Sequence, residues 1–132
     1  MAVSTIKNPV FTPQYITDYT QWITPAEGVT INSATLSQYS DDIFYFYISA
    51  SFATTVPART RRSIGNIIPT YFDNHYLGNY CIAEVHQENS TTPYIGYIAF
   101  ISSGNVQLIN ESDVAIKDVG CQGAVFRRIQ TI

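Results

Sequence analysis

The sequence is poor in charge. Charged residues make up 13% of its 132 residues, and the formal net charge is −3, whereas a typical soluble domain carries about 25% charged residues. Nucleic-acid binding requires a basic face, so this acidic balance argues against a nucleic-acid partner. The scarcity of charge also predicts apolar surface that another copy of the chain covers.

Long apolar runs are lacking too. The longest are about eight to ten residues, roughly half of the ~20 residues that a membrane-spanning helix needs. The N-terminal residues contain one lysine and no apolar stretch of the kind found in signal peptides. The sequence therefore predicts no membrane insertion.

Motifs that carry chemistry are absent as well. There is no glycine-rich phosphate loop and no Gly-x-Ser-x-Gly sequence. Cys81 and Cys121 match no metal-binding spacing, and neither does a set made of Asp73, His75 and His86. We therefore expect no metal, no cofactor and no catalytic residue. Both cysteines are expected to be buried and reduced, unless their strands are neighbours that allow a disulfide.

Hydrophobic residues and tyrosines are abundant. The hydrophobic share is 45%, and ten tyrosines accompany a single tryptophan. Runs typical of β-strands recur every 10–15 residues or so with turn residues between them, and no long helical periodicity interrupts them. The sequence predicts an all-β fold, an antiparallel β-sandwich or barrel. Its expected strands cover 28–37, 43–52, a short strand within 61–72 that Pro69 ends, 79–87, the two arms of a hairpin within 94–109, and 123–132.

Two of these strands have the clearest faces. In 43–52, one set of alternating positions is entirely apolar and belongs in a core, namely Phe44, Phe46, Ile48, Ala50 and Phe52. The opposite set, which includes Tyr45 and Tyr47, is expected to be half-covered by a second sheet or another subunit. In 79–87, Cys81, Ala83 and Val85 form one face, and Tyr80, Ile82, Glu84 and His86 form the other.

The stretch 94–109 predicts a hairpin. Its first arm is dense in tyrosine and isoleucine, and Ser102-Ser103-Gly104-Asn105 supplies residues suited to a tight turn. We expect the first arm to be buried on both faces. A turn is also expected at 38–42.

Residues 1–27 are predicted to form a linker or docking segment, with the β-sandwich domain at 28–132. Pro9, Pro13 and Pro25 would break a helix or a central strand. A short helical turn around 13–22 is an alternative, since Thr12-Pro13 resembles the start of a helix.

Candidate ligand-binding residues lie mainly in the loop 73–79. Asp73, Asn74, His75 and Tyr76 offer planar polar groups for sugar hydroxyls and a ring for an apolar sugar face. Two further candidates have plain alternatives. Arg59 belongs to a cluster with Arg61 and Arg62, which is either a phosphate-binding site or ordinary solvated charge. Trp22 is either a sugar platform or an anchor that holds the N-terminal segment on the sandwich.

Three stretches resemble a known family. Gly28-Val29-Thr30-Ile31 follows Trp22, then come Ser63-Ile64-Gly65-Asn66-Ile67-Ile68-Pro69-Thr70-Tyr71 and the hairpin from Gly96 to Leu108. Over about 22–132, this order resembles the C-terminal head domains of receptor-binding, baseplate or tail-fibre proteins of phages infecting Gram-positive bacteria.

The resemblance implies a jelly-roll-like β-sandwich that forms a homotrimer in the virion, at the phage tail or baseplate. It implies non-covalent, non-enzymatic binding of a host cell-wall polysaccharide, with other tail proteins as partners. Two alternatives stay open. One is a structural domain that only trimerises or docks to another virion protein, and the other is a tail-associated enzyme that degrades glycans.

Overall fold

The computed structural model describes residues 14–16, 22–40, 43–68, 79–101 and 104–126. Within these ranges the chain contains strands and turns and no helix, so the predicted all-β fold is confirmed. The strands are β1 (Gln14–Ile16), β2 (Ile23–Pro25), β3 (Val29–Ser40), β4 (Ile43–Val56), β5 (Arg61–Ile67), β6 (Asn79–His86), β7 (Tyr94–Phe100), β8 (Asn105–Asn110) and β9 (Ile116–Phe126).

All strand pairs are antiparallel, and they form one sheet in the order β1-β3-β4-β9-β6-β7-β8-β5-β2. The short strands β1 and β2 are its two edges. Pro25 therefore lies on an edge strand, where its missing N–H costs no ladder hydrogen bond to a further strand.

The sheet is rolled so that its two ends meet. β2 is one edge, yet the next strand in sequence, β3, lies beside the opposite edge, and only Ala26, Glu27 and Gly28 connect them. Gly28 takes a positive φ of 76° in this turn. The turn is held by hydrogen bonds from Ala26 N to Ile64 O and from Ala53 N to Gly28 O, both 2.8 Å. The result is a nearly closed, sandwich-like fold.

The apolar faces of the strands point into the interior of this roll. Phe46 and Phe100 meet edge-to-face with ring centroids 5.0 Å apart. The alternation predicted for β4 is confirmed, since Phe44, Phe46, Ile48, Ala50 and Phe52 are all buried. The alternation predicted for β6 holds as well: Ala83 and Val85 are buried, Cys81 is half-buried, and Tyr80, Ile82 and Glu84 are exposed.

The hairpin prediction is confirmed in its pairing and corrected in its burial. β7 and β8 pair antiparallel, and Gly104 has the positive φ (81°) that a tight turn favours. Ile98, Ala99 and Phe100 are buried on both faces, but Ile95 is 61% exposed. Only the second half of the arm is therefore enclosed.

Several boundaries differ from the prediction, and β4 continues to Val56, past the predicted end at 52. β3 continues to Ser40, because Gln38 pairs with Phe44 and Ser40 with Ile43, so the turn begins later than 38. The last strand begins at Ile116 rather than 123, and 127–132 lie outside the described residues. Gln14–Ile16 is a strand paired with β3, which replaces the helical-turn alternative at that point.

Parts of the predicted N-terminal segment contribute to the sheet. Ile23 pairs with Ile67 in β5, and Trp22 and Ile23 are fully buried. The docking role of residues 1–27 stays a prediction.

Candidate functional site

Among the described residues, most of the exposed large apolar side chains lie on the outward face over β4, β9, β6 and β7. The strand register sets these positions side by side. Tyr47 lies opposite Gln122, and Gly120 lies between Ser49 of β4 and Glu84 of β6. Glu84 in turn lies opposite Ile95 of β7. Because strand residues alternate between faces, all of these positions are on the solvent side.

The seam between β6 and β9 departs from a regular ladder. Backbone pairing between them covers three residue pairs, from Glu84–Gly120 to His86–Asp118, although both strands continue further. Beyond Glu84, side chains bridge the strands. The amide of Asn79 donates to Phe126 O at 3.1 Å, and Phe126 N donates to Asn79 Oδ1 at 3.3 Å.

Thiols bridge the same seam. The Cys121 thiol donates to Ile82 O at 3.4 Å, and the Cys81 thiol donates to Ala124 O at 3.5 Å. Both cysteines are free, as predicted, although their strands are neighbours. Burial raises the pKa of Cys81. Burial and the nearby Cys81 raise the pKa of Cys121 to about 12. Both thiols are therefore protonated donors at neutral pH.

An open groove lies over this seam, with a volume of about 740 Å³. This size falls in the range of small-molecule sites, roughly 300–1,000 Å³. Gly120 leaves open space, because a Cβ built there would meet no heavy atom within 4 Å. We call this feature the outer groove; it is lined by Tyr47, Ile82, Ala83, Glu84, Pro93, Tyr94, Ile95, Gly120, Cys121 and Gln122.

A second, smaller recess adjoins the outer groove on the same face, with a volume of about 360 Å³. Tyr47 and Gln122 line both depressions, so an elongated ligand in the groove can extend past them. The small side chains of Ser37 and Ala124 leave room for it.

Charge in the outer groove comes from one side chain. Among the described residues that line it, Glu84 is the one charged group. His86 Nε2 lies 3.2 Å from Glu84 Oε1, on the same outward face. The remaining polar lining group is the Gln122 amide, beside the hydroxyls of Tyr47 and Tyr94, so the groove offers hydrogen bonds with little fixed charge.

A second apolar feature lies toward one end of the same face. We call it the end patch and define it as Tyr39, Tyr45, Tyr80 and Phe126. These side chains are between 48% and 60% exposed, and the rings of Tyr39 and Tyr45 meet edge-to-face at 5.5 Å. Isolated exposed apolar residues are ordinary on protein surfaces, whereas grouped aromatic residues mark interaction surfaces.

The predicted site residues have different outcomes. Asp73, Asn74, His75 and Tyr76 lie outside the described residues, so their role stays a prediction. Trp22 is 0% exposed, in agreement with the anchoring alternative, and its ring faces are not open to a ligand.

Arg59 lies in the turn between β4 and β5 with a positive φ of 62°. Its guanidinium binds Asp113 at 2.7 Å and approaches Glu111 at 3.8 Å. These acidic partners raise its pKa. The outer groove is lined by other residues, so Arg59 and the groove are separate features.

Tyr94, Gln122 and Gly120 were not singled out by the sequence patterns. The alternation puts Tyr47 on the strand face opposite Phe46 and Glu84 on the face opposite Ala83. No pattern in the sequence shows that β9 lies between β4 and β6. The strand order is needed to recognise that these residues line one groove.

In the ranges that the structure describes, no three histidine, cysteine or acidic side chains gather as a metal site would require. Those ranges also contain no helix long and apolar enough to cross a bilayer.

The fold is that of a phage receptor-binding head domain. One similar solved structure is the head domain of phage bIL170, described among the receptor-binding domains of lactococcal phages. The two align with a TM-score of 0.64 and 14% sequence identity, over 80% of this chain and 96% of that one. At this identity the likeness concerns the fold. No protein-family model matches the sequence, and neither does any curated protein.

Proposed function

We infer that this chain is a phage host-recognition domain that binds a bacterial cell-surface saccharide non-covalently. The observation that carries this proposal is the fold shared with the bIL170 head domain. The outward face of the present chain adds a tyrosine-lined groove. In the virion such a domain lies at the tail or baseplate, with other tail proteins as neighbours.

The groove has the chemistry that saccharide binding uses. Tyrosine rings cover the apolar face of a sugar, while an amide, a carboxylate and hydroxyls exchange hydrogen bonds with its hydroxyl groups. Tyr47 and Tyr94 supply rings, and Glu84 and Gln122 supply planar polar groups. An open, shallow site of this kind binds one ligand weakly, so a homotrimer that engages several sites together gains avidity.

Cell binding tests the proposal directly. Labelled protein is offered to a panel of Gram-positive strains, and strains that bind are extracted for their wall polysaccharide. We expect saturable binding to some strains and heat release with their polysaccharide in isothermal titration calorimetry. An absence of binding to every strain and every polysaccharide would overturn the proposal.

A second candidate is a structural domain that only assembles with other virion proteins, and the exposed end patch favours it. Its test is a deletion of residues 1–13, which leaves β1, β2 and the buried Trp22 in place. If this segment docks the domain, the shortened chain no longer joins the tail while its thermal unfolding is unchanged. A shortened chain that assembles normally would argue against that role.

The third alternative, a glycan-degrading enzyme, has a distinct signature. Glycosidases commonly use two carboxyl groups across the cleft, and the described lining of the outer groove includes Glu84. Release of reducing ends from wall polysaccharide would identify such an enzyme and contradict the non-enzymatic proposal.

A further inference from the structure

We propose that the outer groove and its adjoining recess select a saccharide that carries no negative charge, and that Tyr47 and Gln122 contact it at the junction of the two depressions. The inference rests on the proposed function and adds the site and the class of sugar.

Charge is the first argument. A phosphate- or carboxylate-bearing polymer is bound in proteins by arginine, lysine or clustered backbone N–H groups. The described lining of the two depressions includes no arginine or lysine, and it contains the carboxylate of Glu84. An anionic ligand would therefore meet repulsion and lose its hydration without a compensating cation. A neutral or amine-bearing sugar meets neither cost.

Two cations in the described part of the chain are already engaged with other groups. Lys117 donates to Ala53 O at 3.3 Å and lies 3.6 Å from Glu88, and Arg59 is held by Asp113. His86 lies beside Glu84, and its Nε2 is 3.2 Å from the Glu84 carboxylate.

Shape is the second argument. The open space above Gly120 exists because strand β9 has no side chain there, between the outward positions of Ser49 and Glu84. A sugar ring that enters this space has Tyr47 and Gln122 on one side and Ile82 and Ile95 on the other. The recess beyond Tyr47 accommodates a continuation of the chain, so the favoured ligand is longer than one sugar unit.

Filling the groove is the first arm of the test. Gly120→Leu places a side chain into empty space on a strand, where leucine is tolerated, so the variant should fold. Ser33→Leu is the matched control, since Ser33 is an exposed strand residue outside both depressions. We expect Gly120→Leu to weaken binding to wall polysaccharide at least about tenfold, and the control to stay within about twofold of wild type.

Reversing the charge is the second arm. Saturation-transfer NMR compares galactose, N-acetylglucosamine, glucosamine and glucose 1-phosphate as probes. We expect wild-type protein to give signals with uncharged or amine-bearing sugars and none with the phosphate ester. Glu84→Lys should admit glucose 1-phosphate, whereas Glu27→Lys, at an exposed position outside both depressions, should not.

The outcomes separate the two proposals. If wild type binds cells and Gly120→Leu binds equally well, the groove inference is wrong and the host-recognition proposal stands. If wild type binds only phosphate-bearing polymer and loses it after dephosphorylation, the inferred sugar class is wrong. If wild type binds no cell and no saccharide, both proposals fail.

Discussion

At the scale of single residues, a buried amide fixes one end of the sheet. Asn110 is 0% exposed, and its side-chain amide group contacts the carbonyl oxygens of Val56, Pro57 and Val114 at 2.9–3.1 Å. Its own oxygen accepts from the N–H and hydroxyl of Ser112. These partners lie at the end of β4 and in the connection that follows it, and in the connection between β8 and β9, so the Asn110 side chain fixes the two connections relative to each other.

Asn110→Ala should therefore destabilise the protein by about 2–4 kcal/mol, because buried carbonyls lose their donor. The matched control is Asn32→Ala, which removes one exposed hydrogen bond to Ser51, 2.9 Å long, and should cost less than about 0.5 kcal/mol. Urea unfolding curves measure both. Equal midpoints for the two variants would show that the Asn110 network contributes little.

The buried thiol of Cys121 predicts a pH dependence. Its pKa is about 12 in the folded chain, against the ordinary value of 9.0. Well below pH 9.0 the thiol is protonated in both the folded and the unfolded state, so it does not reduce the free energy of unfolding. As pH rises from there toward about 12, the unfolded thiol ionises first and stability falls, by up to about 1.4 kcal/mol per pH unit.

Comparison with Cys121→Ala isolates this effect, since all other ionisable groups are the same in both proteins. The free energy of unfolding in urea, measured under reducing conditions from about pH 8 to about pH 11, should fall more steeply in wild type. Parallel pH profiles for the two proteins would contradict the assignment.

At the scale of elements, the docking of edge strand β2 depends on a glycine. Gly65 pairs with Pro25, and a Cβ at Gly65 would collide with the backbone carbonyl of Thr24 and press against Ile23. Because backbone cannot rotate away as a side chain does, β2 would have to leave β5. Trp22 and Ile23 would then lose part of their burial.

Gly65→Ala should accordingly lower the free energy of unfolding by about 2–3 kcal/mol. Gly120→Ala is the matched control on another strand, where the added Cβ meets open space, and it should be neutral or stabilising by up to about 1 kcal/mol. Thermal unfolding by circular dichroism measures both. A tolerated Gly65→Ala would mean that β2 shifts without cost.

The same elements show what sequence can predict. The sequence predicts the two faces of β4 and of β6 correctly, because a strand that is buried on one side only keeps a strict alternation of residues between its faces. The predicted start of the last strand, residue 123, is seven residues later than the observed start of β9, because Gly120 and Gly123 interrupt the strand pattern. Gly120 leaves open space in the outer groove, and Gly123 makes room for the Cys81 side chain. The site was not predictable, because it depends on strand order, and long-range pairing leaves little trace in local composition.

At the scale of the whole molecule, low charge and the end patch have one common explanation. Tyr39, Tyr45, Tyr80 and Phe126 are all neutral, so burying them against another copy requires no charge to be desolvated. Aromatic residues in such a setting are the usual anchors of protein interfaces. The proposed homotrimer would therefore use a surface on this face that lies beside the outer groove and shares Tyr45 with the adjoining recess.

Sedimentation equilibrium should give a mass near three times that of the 14.8 kDa chain. The double variant Tyr80→Glu and Phe126→Glu introduces charge into the end patch and should dissociate the trimer, at a cost of about 2 kcal/mol or more per site. Ile82→Glu is the control, because Ile82 is 70% exposed but belongs to the groove wall. It should keep the trimer while weakening saccharide binding. A monomeric wild type would refute the assembly, and a trimer that survives the double variant would place the contact elsewhere.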